Sequence, residues 1–149
     1  MTEAKISELT LNVEHTINAP IEFVYNAWLD PALMARFMIP ASGVVTTDIS
    51  TEPHVGGRFA LTMIVDGNHL EHKGEYLALQ PYTKLVFTWI SPFSIDGSTV
   101  TLNLSEAVDG THIRLTQVKF LDEEMRDNHN NGWLAILASL HQLLTAKGE

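Results

Sequence analysis

The chain has 149 residues, 45% hydrophobic and 18% charged, with a formal net charge of -9 and no cysteine. That length fits one domain, expected over residues 1–149, burying roughly 70% of its unfolded-chain surface. The negative charge opposes nucleic acid and anionic membranes as partners, and the missing thiols exclude disulfides, thiol catalysis and thiolate metal sites.

The N-terminal "MTEAKISELT" puts acids ahead of any apolar run and has no signal-peptide core. No stretch approaches the roughly 20 apolar residues that cross a bilayer, so a soluble cytoplasmic protein is expected. "LTLNVEHTINA" alternates apolar and polar residues, which predicts a half-buried strand. "PIEFVYNAWLD" predicts a short helix opened by Pro20, with Asn18 as its cap and Val24, Ala27 and Trp28 as its inward stripe. Asp30-Pro31 ends it and starts a second, "PALMARFMIP", closed by Pro40.

From Val44 to Lys119 the pattern turns to strands: "VVTTDI", "RFALTMIV", "HLEHKGEYLAL", "LVFTWI", "TVTLNLSE" and "THIRLTQVKF". Gly56-Gly57, Asp66-Gly67, "QPYTK", "PFSIDGS" and Asp109-Gly110 supply the turns. Six strands in meander order plus the first make seven. The last segment is a helix capped by Asp122, with Glu123 and Glu124 suiting its dipole. Met125, Trp133, Ile136, Leu137, Leu140, Leu143 and Leu144 form its apolar stripe. About 22 helical residues reach ~33 Å, and seven strands span roughly 29 Å, so the helix can lie across the sheet.

This order is similar to the helix-grip fold of START-like proteins, an α+β fold whose curved antiparallel sheet wraps a long C-terminal helix. "INAPIEFVYNAWLDPALMARF", "VGGRFALTM", "HKGEYLALQPYTKLVFTW", "VTLNL" and "GTHIRLTQVKFLDEEMRDNHNNGW" resemble the activator-of-heat-shock-protein-90-ATPase homologue family, over about Thr16 to Leu144. The resemblance implies a cavity between sheet and helix but no single reaction. Related START-like proteins bind apolar ligands or act as cyclases. The co-chaperone that names the family carries an additional N-terminal domain, which is not expected within these 149 residues. "ARFMIP" stands where many relatives have a Trp-Trp-Gly run, which puts Phe37 at the implied cavity mouth.

The inward parity of the strands gathers Phe59, Leu61 and Met63, then Leu85, Phe87 and Trp89, then Val100, Leu102 and Leu104, then Ile113 and Leu115. Core filling accounts for most of these. The expected lining of a ligand cavity is Phe37, Phe59, Met63, Phe87, Trp89, Trp133 and Ile136, with Glu75 as a polar member. In "HLEHKGEY", either Glu75 faces inward with Leu77 and Leu79, or His72 and Tyr76 do with Ala78. The first puts a carboxylate in an apolar cavity with a raised pKa, fit for acid-base work. His69 and His72, three apart on a strand, point to opposite faces, and His129 and His141 to different helix faces, so no metal site is expected. No serine-nucleophile elbow or phosphate loop is present.

The expected function is therefore binding of an apolar or amphipathic small molecule, with no cofactor. Alternatives are a chaperone-interaction module, or a cyclase-like or hydrolase-like enzyme using Glu75 or His72 and Tyr76.

Overall fold

The computed structural model describes residues 9–92, 94, 95 and 97–146. Expectations that fall on residues 1–8, Phe93, Asp96 and Lys147 lie outside the described residues. In chain order come β1 (Thr10–Ile17), α1 (Ile21–Ala27), α2 (Pro31–Phe37), β2 (Val45–Thr51), β3 (Arg58–Val65), β4 (Asn68–Gln80), β5 (Lys84–Thr88), β6 (Thr99–Ala107), β7 (Gly110–Val118) and α3 (Glu123–Ala146).

The strands form one curved antiparallel sheet in the order β1-β7-β6-β5-β4-β3-β2. Six strands meander in sequence, and β1 joins the far edge beside β7, from Thr10 opposite Val118 to Ile17 opposite Thr111. The turn between β3 and β4 is a two-residue hairpin. Asp66 and Gly67 take φ of 51° and 81° while Val65 pairs with Asn68, so both loop residues occupy the left-handed region that suits strand twist. The expected Asp109-Gly110 turn sits one residue earlier. Ala107 pairs with Gly110, leaving Val108-Asp109 at the tip. A Cβ on Gly110 would run into the Ile17 carbonyl oxygen, so glycine is needed where β1 ends against this hairpin.

Helix starts follow their caps, with one exception. The Asp30 carboxylate accepts the Ala32 and Leu33 N–H groups at 2.9 and 3.4 Å, and Asp122 accepts that of Met125 at 2.8 Å. Asn18 does not cap α1: Pro20 holds that position in extended conformation with no side-chain cap. The Asn18 backbone N–H instead points to His141 Nδ1 on α3, 3.4 Å away. β5 is also shorter than "LVFTWI" predicts. It ends at Thr88, and Ile90 makes only a single bridge with Lys73.

One face of the sheet carries the core. Phe59, Leu61, Met63, Leu85, Phe87, Val100, Leu102, Ile113 and Leu115 are all buried there, opposite Trp133, Ile136, Leu137, Leu140 and Leu143 of α3. Three threonine hydroxyls fasten the helices and their connections to the sheet. Thr46 donates to the Met38 carbonyl at 2.6 Å, Thr51 to that of Leu29 at 2.9 Å and Thr111 to that of Ala19 at 2.8 Å. α1 and α2 are thereby held over one end of the inner face, and α3 runs along β1 and α2. Among the described residues no helix is long and apolar enough to cross a membrane.

Candidate functional site

β4 decides which polar groups enter the interior. Phe59 pairs with Gly74 and Leu61 with His72, and directly paired residues share a face. His72, Gly74 and Tyr76 therefore point inward and are buried, whereas Glu75 and Leu77 are exposed on the other face. Glu75 lies with Glu52, Arg58 and Lys73 around an open depression of about 660 Å³ on that outer side. Those charged side chains are all exposed to water, so the depression offers a solvated surface and no apolar enclosure.

Inside, the space between sheet and helices is unevenly filled. A hollow of about 300 Å³ opens toward the N-terminal half of α3, at the lower end of the range for small-molecule sites. Its floor is Met63, Val65, Leu70, His72 and Trp89 from the sheet side. Its roof is Met125, Asn128, His129, Gly132, Trp133 and Ile136 from α3, with Pro40 at the rim. Four of the eight residues expected to line a cavity, Met63, Trp89, Trp133 and Ile136, meet here.

The other four lie elsewhere. Phe59 and Phe87 stand with Tyr76, Trp28, Met34 and Met38 around a gap of only about 10 Å³, which side chains have closed. Phe37 is fully buried and packs edge-on against Trp28, ring centres 5.0 Å apart at 77°. Glu75 is on the outer face. His72 and Tyr76 share a parity but not a site: His72 borders the hollow and Tyr76 the closed gap.

The polar atoms around the hollow fall into two sets. Trp133 is fixed from behind. Its Nε1 donates to Gln117 Oε1 at 2.7 Å, Gln117 Nε2 donates to Ser98 Oγ at 2.9 Å, and that hydroxyl donates to the Val118 carbonyl at 3.1 Å. This buried chain satisfies every member and locks the indole against the sheet. The second set is unfinished. His72 Nδ1 donates to the Leu70 carbonyl at 3.0 Å and His129 Nδ1 to the Met125 carbonyl at 2.8 Å. Trp89 lies 5.0 Å from Trp133 and 5.2 Å from His72, ring centre to centre. Its Nε1 is buried without a partner among the described residues.

Burial holds the His72 imidazole below its ordinary range, against the Leu70 hydrogen bond and with a further push from His129. Burial lowers His129 in the same way, against its bond to Met125. Both rings are therefore neutral near pH 7. No Asp, Glu, Lys or Arg lines the hollow. Among the described residues no group of three His, Cys, Asp or Glu is placed to hold a metal ion.

Sequence reasoning passed over His129, Met125, Asn128, Leu70, Val65 and Pro40. A signal existed for the helical members: Met125, His129, Trp133 and Ile136 are spaced four, four and three apart, one face of a helix. Gly132 on the same roof approaches Pro40 rather than the sheet. A Cβ there would meet the Pro40 Cβ at 3.2 Å.

A family model described as "Activator of Hsp90 ATPase homolog 1-like protein" matches residues 18–145. No curated protein matches the chain. Among solved structures, a protein from Chromobacterium violaceum is 25% identical, with a TM-score of 0.82 over 91% of this chain and 96% of that one. The AHSA1-like protein from Aeromonas hydrophila is 25% identical, with a TM-score of 0.81 over 94% of each chain. A protein from Mesorhizobium loti is 27% identical, with a TM-score of 0.73 over 93% of this chain and 98% of that one. With the helix-grip architecture shared and nearly the whole chain matched, the protein belongs to the family of Activator of Hsp90 ATPase homolog 1-like proteins.

Proposed function

We propose that the chain is a binding protein, holding an apolar or amphipathic small molecule in the hollow between the sheet and α3. One observation carries this reading: a hollow of about 300 Å³ walled by Met63, Val65, Leu70, Trp89, Trp133 and Ile136 stands beside a part of the interior that side chains have closed to about 10 Å³. Protein interiors pack at crystal-like density, and side chains facing a void forgo dispersion contacts. A guest supplies those contacts, and each Å² of apolar surface it buries contributes about 25 cal/mol. The mechanism is burial, with the few polar groups on the wall setting orientation.

The test is thermal melting against a panel of apolar and amphipathic compounds, with native mass spectrometry of the purified protein to find a co-purifying guest. Binding raises the melting temperature by mass action. Ile136→Phe places a larger ring in the roof and is expected to abolish the ligand-dependent rise. A rise that survives unchanged in that variant sinks the reading. A second reading follows from the family description alone: a module that docks on a heat-shock-protein-90 chaperone. Retention by the purified chaperone at low salt and a changed ATP turnover would support it, and no retention removes it.

A further inference from the structure

We propose that the guest carries a neutral hydroxyl, as an alcohol or a phenol, which donates to an imidazole Nε2 of the His72–His129 pair. This rests on the hollow being a ligand site and names the chemistry of its occupant.

The tautomers follow from the backbone. A carbonyl oxygen has no proton to give, so the contacts of His72 Nδ1 to Leu70 and of His129 Nδ1 to Met125 require the proton on Nδ1. In the neutral ring the other nitrogen is then a bare acceptor. Nε2 sits at the end of the ring away from the backbone, and no described residue pairs with it in either histidine. Two histidines, each with a bare acceptor nitrogen, thus line one largely apolar space. An occupant that displaces water from these nitrogens leaves them unpaired, at about 1–3 kcal/mol each, unless it brings a donor of its own, so a guest with a donor is favoured over a pure hydrocarbon.

A hydroxyl is a small neutral group that does so, with one O–H to donate. An ionised carboxylate has no donor and would face two imidazole lone pairs inside a protein of net charge -9. An ammonium has donors, but no carboxylate lines the hollow to balance its charge. The rim amide of Asn128 is neutral. The titratable groups that face the two rings across the hollow are only each other, since every other group lining it is neutral. Acid should therefore weaken hydroxyl binding: an imidazolium carries protons on both nitrogens and has no acceptor left.

The test uses three matched probes, naphthalene, a naphthol and a naphthoate, titrated calorimetrically into the wild type, His72→Leu and the double variant His72→Leu/His129→Leu. Naphthol is expected to bind about fivefold tighter than naphthalene at about pH 7.5, the worth of one ordinary hydrogen bond. That ranking runs against simple hydrophobicity, since naphthalene is the more apolar. Naphthol's advantage, read as the ratio of its affinity to that of naphthalene within each variant, should shrink in His72→Leu and vanish in the double variant, and it should fall toward about pH 5 as the rings protonate. If naphthalene and naphthol bind equally in the wild type, the hydroxyl proposal fails and the general binding reading stands. Naphthoate binding more tightly than naphthol, and tightening in acid, overturns it in favour of an imidazolium site for anions. If none of the three binds, both readings fall.

Discussion

At one end of the inner face, Phe59, Tyr76 and Phe87 meet Trp28, Met34 and Met38 across about 10 Å³; at the other, Met63, Leu70, His72 and Trp89 face Met125, His129 and Trp133 across about 300 Å³. Both ends draw on adjoining stretches of the same strands, with large apolar side chains on the same parity. The difference lies in what covers them. α1 and α2 press Trp28, Phe37 and Met38 down over the first end, and the Thr46 and Thr51 hydroxyls hold that layer in place. Over the second end lies only the first half of α3, where Gly132 contributes no side chain and Asn128 is polar. Pro40 marks the border between the two. A hollow in this fold is thus a property of the covering layer. The residues beneath it do not announce it.

The comparison breaks most visibly under truncation. Phe59→Ala at the packed end should cost about 3–5 kcal/mol, because its neighbours are tied down and cannot close the gap. Met63→Ala at the hollow end should cost about 2 kcal/mol, the low end for such a change, since it enlarges a space that already exists. Urea denaturation of the two variants measures both numbers. Equal losses would show that the two ends are packed alike and remove the contrast.

A smaller effect of opposite sign is expected from Tyr76→Phe. The Tyr76 hydroxyl is buried in the packed end with no partner among the described residues, and burial drives its phenol far above the ordinary range. Removing the oxygen relieves an unmet hydrogen bond and should stabilise the fold by about 1 kcal/mol. Ligand binding should be untouched, because Tyr76 does not border the hollow. A loss of stability in chemical denaturation would mean that the hydroxyl is satisfied and that the packed end is less dry than its geometry implies.

How far these two ends were legible in the sequence differs by feature. Strand number, the meander of the last six strands, the paired short helices and the closing helix all follow from turn residues and periodicity, whereas the place of β1 beside β7 does not. Local chemistry sets these: Asp66-Gly67 suits a two-residue hairpin, and Asp30 and Asp122 have side chains that reach the next turn. The parity of β4 looked open because apolar residues occupy both faces of "HKGEYLAL". Counting outward from the hairpin resolves it. With Val65 opposite Asn68, Leu61 must face His72 and Phe59 must face Gly74, which sends Glu75 outward. The apolar residues on the wrong parity reflect an irregularity in the pairing of β4 with β5 between Tyr76 and Ala78, beyond which Leu79 turns half inward. No local pattern reveals that step. Nor does any reveal which end α1 and α2 will cover, since that depends on contacts such as Thr46 to Met38 formed only in the folded chain. Asn18 shows the same limit. It reads as a cap, but its backbone is claimed by His141 from across the molecule.

The smallest expected effect concerns acid, and it separates the two ends by charge. The packed end holds no histidine, whereas the hollow holds His72 and His129, both with pKa below the ordinary imidazole value near 6.5. A group with a depressed folded-state pKa leaves the unfolded chain binding more protons in the window between the two values, so stability there rises with pH. The contribution is whole above about pH 6.5 and declines as pH falls through the folded-state values of the two rings. His15 on β1 adds to the same trend. Burial lowers it first, then His141, whose ring lies 5.3 Å away. The melting temperature should therefore drop modestly as the ligand-free protein is taken from about pH 7.5 to about pH 5.5. In His72→Leu/His129→Leu the drop should shrink to the part left by His15. An unchanged slope in the double variant would place the titrating groups outside the hollow, and its wall would then be polar only by tautomer and indifferent to acid.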